Sequence, residues 1–264
     1  MRIDFHTHFY PEKVAAKAIA FVEKLGLKSD SDGTRRGLEE SMARSGIDLS
    51  VGMPVVTSPE NSLSINRFAA ANNNGNIRMF GSVHPDEADK LGTLQFIKDS
   101  GLYGVKVHPE YQGFDFGEER LFPVWEKCIE LNLPVLTHAG ADIAYTAPFH
   151  SDPERLAAFH RRYPELTFII AHLGSYQMWD AVERELLGED VYLDISLAVE
   201  ELPVERIESM IRRHGADRIL LGSDSPWFSQ RKPWETVEKM SLSSEEKAAI
   251  LSGNAERLLA LSRA

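Results

Sequence analysis

The chain opens with MRIDFHTHFY, an apolar stretch carrying Asp4, His6 and His8 at alternating positions. In a strand, alternate side chains share a face, so His6 and His8 point the same way with Asp4 behind them. Two imidazoles held within a few ångströms repel each other if both are protonated. They are compatible when a cation lies between them. Four more histidines, His84, His108, His138 and His172, stand at or just past the ends of other short apolar runs. Asp224 follows a further run in LLGSDSPW.

Three neutral imidazoles and one carboxylate, here His6, His8, His138 and Asp224, make a suitable ligand set for Zn²⁺ or a similar divalent ion. An open position then holds a water whose pKa falls to about 7. His172 or Asp224 is placed to take its proton. Each feature also has an ordinary structural explanation: H-x-H occurs on surface strands, His138 fits a hydrogen-bonded core histidine, the GSD turn caps a helix, and His172 in AHLG ends a strand. Their joint occurrence, in order, at the ends of strands one, five, six and eight points to one site.

The elements that would position these residues can be read along the chain. Strands are expected at 2–6, 49–56, 78–83, 102–107, 133–138, 167–172, 190–195 and 218–223, with amphipathic helices between them. Eight strands alternating with helices predict an α/β fold, a parallel (β/α)8 TIM barrel, over a single domain spanning 1–264. The alternative, an open doubly wound sheet, lacks a G-x-G-x-x-G after its first strand. Pro11 opens the first helix, Asp86 lies in the cap region of PDEADKLGTLQFIKDSG, and Ser151 or Asp152 caps SDPERLAAFHRRYP. The polar stretch 24–36 reads as a loop, and 241–264 as two short closing helices. In a barrel, the C-terminal rim is where active sites are built, and six of the nine histidines fall there. Strands one and eight are neighbours in a closed barrel, which brings Asp224 towards His6 and His8.

Composition narrows the function classes. A length of 264 residues suits a barrel of this kind. The net charge of −11 argues against a nucleic-acid partner, whose footprint would be basic. The longest apolar runs are too short to span a bilayer, and no targeting segment precedes the His pair. A lone cysteine, Cys128, forms no internal disulfide and sits in a helix-like context, so a buried structural thiol and a cytoplasmic protein are expected.

The motifs DFHTH, THAG, AHLG and GSDSPW, in this order, resemble the amidohydrolase superfamily of metal-dependent TIM-barrel enzymes. The closer similarity is to its amidohydrolase-related branch, which includes aminocarboxymuconate-semialdehyde decarboxylase and γ-resorcylate decarboxylase. The resemblance implies that His6, His8, His138 and Asp224 are metal ligands and that His172 is a catalytic or second-metal histidine. In GVKVHP, Lys106 takes the place of the carboxylated lysine that bridges two metals in binuclear members. The alternatives are a point charge for a substrate carboxylate and a lysine packed in the barrel wall. His108 and His84 are rim candidates for substrate contact or structural hydrogen bonding. Tyr111, Phe114, Phe116, Tyr145, Phe149, His150, Tyr176, Trp227 and Phe228 could wall the pocket or only close the barrel top.

The leading expectation is a hydrolase of a small cyclic amide, lactone or related C–N or C–O bond, using metal-activated water. The alternative is a non-oxidative decarboxylase or hydratase of an unsaturated carboxylic acid on the same residues. A non-catalytic metal-binding barrel is disfavoured, since four ligands leave room for water with a base close by. One divalent ion is expected, most readily Zn²⁺, with room for two if Lys106 bridges. The partner is a small-molecule substrate, and assembly into a homo-oligomer is left open.

Overall fold

A computed structural model describes residues 1–261. Each expected strand is present. In chain order they are β1 (Ile3–Thr7), β2 (Leu49–Gly52), β3 (Ile77–Met79), β4 (Gly81–Ser82), β5 (Val105–Val107), β6 (Val135–Thr137), β7 (Phe168–Ile170), β8 (Tyr192–Asp194) and β9 (Ile219–Leu220). Every pairing is parallel and joins sequence neighbours, β1-β2-β3 in one set and β4 through β9 in the other. β3 and β4 are halves of one expected strand, interrupted at Phe80. Phe80 N–H reaches back to Gly52 O at 3.0 Å, while Gly81 N–H turns forward to Gly104 O at 2.8 Å. The ring then closes. Phe5 N–H donates to Leu221 O at 2.7 Å, and Asp224 N–H donates to His6 O at 2.9 Å. Eight parallel strand positions joined edge to edge are the (β/α)8 barrel predicted from the alternation.

The side chains sort as the pleat requires. In β5, Val105 and Val107 pack into the layer between strands and helices with Trp125 and Cys128, while Lys106 between them points to the opposite side, into the barrel. Leu136 and Ile169 likewise turn away from that layer and join Phe5, Met53 and Phe80 in a separate buried cluster. Cys128 is fully buried, as expected for a structural thiol.

Some local expectations are corrected. The cap of the helix Lys90–Asp99 is Asp89, whose carboxylate accepts from Gly92 N–H, and not Asp86. Asp152, with Pro153 in the first turn, caps the helix Pro153–Arg162 as read. The two closing helices run together. Ser244–Ala248 continues through a π-turn at Ala249–Gly253 into Asn254–Leu261, and residues 262–264 of that stretch lie outside the described residues. Phe114 and Phe116 do not wall the pocket; they stack with Trp125, Phe159 and Phe168 in the core. No described helix is long and apolar enough to cross a membrane.

Candidate metal centre

The register of β1 against β2 slips between Asp4 and Thr7. A bulge re-aims the side chains around it. Asp4 therefore leaves the His pair and accepts hydrogen bonds from His6 N, Ser223 N, Ser223 Oγ and Gln230 Nε2 at 3.2, 3.0, 2.5 and 2.8 Å. His6 and His8 converge beyond it, with ring centres 5.1 Å apart. Because β9 closes on β1, Asp224 arrives beside them. Its Oδ1 lies 3.5 Å from His6 Nε2 and 3.1 Å from His8 Nε2. His172 stacks on His6 with centres 5.3 Å apart, and its Nε2 lies 3.0 Å from Nδ1 of His138.

The partners on the far side of each ring fix where its proton sits. His8 Nδ1 faces the carbonyl of Met53 at 2.7 Å; a carbonyl only accepts, so Nδ1 carries the hydrogen and Nε2 a lone pair. His6 Nδ1 faces Asp194 Oδ2 at 2.9 Å, which likewise frees Nε2. His172 Nδ1 faces Ser196 Oγ at 2.9 Å, and the Ser196 hydroxyl is already donating to Asp194, so Nδ1 of His172 donates and Nε2 is bare. His138 Nε2 faces Ala141 O at 3.2 Å, leaving Nδ1 bare. Two oppositions result: the His8 lone pair against the Asp224 carboxylate, and the His138 lone pair against that of His172. Acceptors facing each other at about 3 Å need a proton or a metal cation between them, and nitrogens at about 2.1 Å from one ion stand at such a separation. Four bare imidazole nitrogens and a carboxylate, oriented from behind by carboxylate, hydroxyl and carbonyl groups, fit a divalent transition ion.

Electrostatics agree with that fit. Burial, reinforced by neighbouring cationic groups, pushes His6, His108, His138 and His172 well below the ordinary imidazole range, so each is neutral near pH 7. Burial pushes Asp224 up; a proton donated from His8 and positive charge at His6, His8 and Lys106 would outweigh it and hold the carboxyl well below its usual range, and a cation in the proton's place acts in the same direction. Burial lowers the Lys106 ammonium to about 8 against the pull of Asp224 and Asp194. Both His172 and Asp224 hold left-handed backbone conformations, with φ of 62° and 63°. Non-glycine residues rarely adopt these, and such strain concentrates at functional sites.

The expected residues thus divide. His6, His8 and Asp224 form one compact set, with donor atoms within 4.8 Å of one another. His138 joins through His172 and stacks on His108, with ring centres 4.1 Å apart and planes within 5°. His108 Nδ1 accepts from Tyr111 N–H, which leaves its Nε2 hydrogen for Asp142 Oδ2 at 3.4 Å. His108 is thereby a donor on the rim and no lone-pair ligand. His84 is bound locally, accepting from Asp86 N–H at 3.1 Å. His150 pairs with buried Glu110 at 2.7 Å and ties the 141–152 loop to the short helix Pro109–Gln112. Tyr111 and Tyr145 make ring contact at the mouth, as do Tyr10 and Trp227. Gly140 of THAG is required where it stands: its φ is +85°, and a Cβ would lie 2.3 Å from Tyr176 O.

Sequence reasoning missed Asp194, Ser196 and Asp142. Asp194 was legible as a carboxylate ending the expected strand 190–195, on the rim already identified. Nothing in the sequence marked it as the partner of His6.

Comparison with known proteins comes to the same fold. A family model described as Amidohydrolase (Amidohydro_2) matches residues 3–261. No curated protein matches the chain. Among solved structures, an uncharacterized TIM-barrel protein from Bordetella bronchiseptica is 22% identical with a TM-score of 0.76, covering 99% of each chain. A dihydroxybenzoic acid decarboxylase from Polaromonas sp. JS666, with bound manganese and the inhibitor 2-nitroresorcinol, is 20% identical at a TM-score of 0.76, covering 100% of this chain and 98% of that one. A 2,6-dihydroxybenzoate decarboxylase from Rhizobium is 17% identical at 0.73, covering 98% of each.

Proposed function

The chain belongs to the amidohydrolase family, and from that premise we propose that it is a divalent-metal-dependent decarboxylase of a small conjugated carboxylic acid. Metal dependence rests on one observation above the others: bare acceptors face each other at His8–Asp224 and at His138–His172, where only a cation or a proton reconciles them. The direction of the chemistry is supported by fold-level likeness to decarboxylases, two of them named with bound manganese, and such likeness is analogy. It favours the alternative drawn from the sequence over the hydrolase, and it places manganese beside zinc as a metal to test.

His6, His8, Asp224 and His138 would hold the ion, which supplies positive charge to orient and polarise substrate oxygens. In a decarboxylation the C–C bond to the carboxylate breaks, its electron pair stays on carbon, and a proton takes the place of CO₂. The chain must hold that proton. Nδ1–H of His172 is committed to Ser196, so its Nε2 is the face that receives and returns a proton. Asp224, kept ionised, is the second carrier. Hydrolysis of a small cyclic amide or lactone is the second reading; it is favoured by the same neutral His172 base beside residues that would hold a water-activating ion.

The deciding experiment incubates metal-loaded protein with a panel of hydroxybenzoates and small lactones in labelled water. CO₂ release with a solvent hydrogen gained at carbon supports the decarboxylase. Label entering a ring-opened product, without CO₂, replaces it with the hydrolase.

A further inference from the structure

Lys106 is among the largest fully buried side chains, 1% exposed, and projects into the barrel from the middle of β5. Its Nζ has three hydrogens to donate. Among the described residues it has one hydrogen-bond partner, His6 Nε2 at 3.3 Å, and no carboxylate oxygen within 4.0 Å. That partner is the bare nitrogen assigned above to the metal. When an ion takes the His6 lone pair, Lys106 loses its last acceptor and stands as a buried cation beside a second cation. Buried charges are paired, and the carboxylates that draw on Lys106, Asp224 and Asp194, lie beyond bonding distance and are committed to the rings of His8 and His6, so no described residue hydrogen-bonds this ammonium once the ion is in place.

We propose that Lys106 is the anion receptor of the site, a specificity-determining residue that hydrogen-bonds a carboxylate or equivalent oxyanion of the substrate beside the metal. The inference rests on the metal-centre reading and sharpens it: the substrate must carry negative charge within reach of β5, whichever bond is broken. A neutral lactone or amide would leave Lys106 unpaired, so selection against uncharged analogues is built into the floor of the pocket. The geometry also explains why a lysine stands on the interior face of β5 beside its register neighbour Leu136, where an apolar residue would pack without cost.

The test is binding, measured by calorimetry on metal-loaded protein with benzoate and its neutral counterpart benzamide as probes. Wild-type protein should prefer benzoate. Lys106→Met, close in volume, should weaken benzoate by about 10- to 100-fold, leave benzamide unchanged, and keep its metal. Unchanged benzoate affinity overturns the proposal. So does loss of metal in the variant, or a carbamate carbon signal from labelled bicarbonate in the wild type, since either makes Lys106 part of the metal centre. If the variant does not fold, a wild-type structure with metal and benzoate decides: a carboxylate oxygen within hydrogen-bond distance of Lys106 Nζ supports the role, and its absence there overturns it. None of these readouts depends on CO₂ release, so failure of the decarboxylase reading remains distinguishable from failure here.

Discussion

His8 holds one ring nitrogen against the Met53 carbonyl at 2.7 Å and the other against Asp224 Oδ1 at 3.1 Å. Both partners are acceptors, and a neutral imidazole has one hydrogen to give. The pair is therefore completed by a second proton on His8 or by a metal, and the converging lone pairs of His6, His138 and His172 favour the metal.

Purified protein should accordingly carry at least one divalent ion per chain. His6→Ala and Asp224→Ala should each lose most of it, measured by elemental analysis after dialysis. Retention of a full complement by both variants, or full activity without metal, would remove this centre from the chemistry.

Asp194 gives a separate prediction. It is fully buried, and it accepts from His6 Nδ1 at 2.9 Å and from Ser196 N at 3.0 Å. Replacing it with Asn puts an amide donor into a ring of donors and loosens the ring that presents His6 Nε2. Metal affinity should fall by about 10- to 100-fold while the fold survives, as read by competition with a chelator and by circular dichroism. An unchanged affinity would reduce Asp194 to a packing role.

How far this was visible beforehand depends on the kind of information. All eight strands and the rim histidines were legible because each strand is a short apolar run and each motif residue follows one directly. The split of one strand at Phe80 was not, since the handover of pairing from Gly52 to Gly104 is a tertiary event. The strict alternation of Asp4, His6 and His8 was overread for a related reason: the slip in β1 depends on how β2 and β9 grip it. Phe114 and Phe116 could be read as pocket wall or as barrel-top closure, because aromatic residues near a rim are ambiguous until the helix Phe122–Glu130 claims them. Asp194 and Ser196 were beyond reach in their roles, because hydrogen bonds spanning 188 and 190 residues leave no local pattern.

Asp4 predicts a pH dependence. Burial raises its pKa from 3.8 to about 7, against four hydrogen bonds that favour the ionised form. The folded state thus binds its proton more tightly than the unfolded chain does. The stabilisation is complete below about 4 and is lost as pH rises through about 7, to a limit of about 4 kcal/mol. The depressed histidines act with the opposite sign, costing stability as pH falls below their ordinary range, so the Asp4 contribution appears as a difference between proteins. In metal-free protein, Asp4→Asn should flatten the decline in stability expected of the wild type as pH rises from about 4 to about 7. Gln230 makes the substitution tolerable: its Oε1 is buried without a partner, and turning its amide over would meet the new Asn donor. Parallel urea titrations between pH 5 and 8 check this, and identical slopes in the two proteins would show that Asp4 is ionised throughout.

The last prediction separates His172 from the ligands. Its ring is held by Ser196 on one side, stacks on His6, and offers Nε2 to Nδ1 of His138 at 3.0 Å. With His138 Nδ1 committed to the ion, His172 Nε2 beside it is either a further donor to that ion or a free base for a substrate proton. We expect the free base, because His6, His8, Asp224 and His138 already supply four donors to one ion. His172→Asn should then keep one tightly bound ion and a normal fold, while turnover drops by about 10²–10⁴-fold, the usual value of general acid–base help. Ser196→Ala should lower turnover by less, since it removes only the group that fixes the tautomer. Metal content and turnover must be read on the same samples. Loss of half of a two-ion complement would make His172 a ligand in a binuclear centre, and retention of both metal and rate would leave Asp224 as the sole proton carrier.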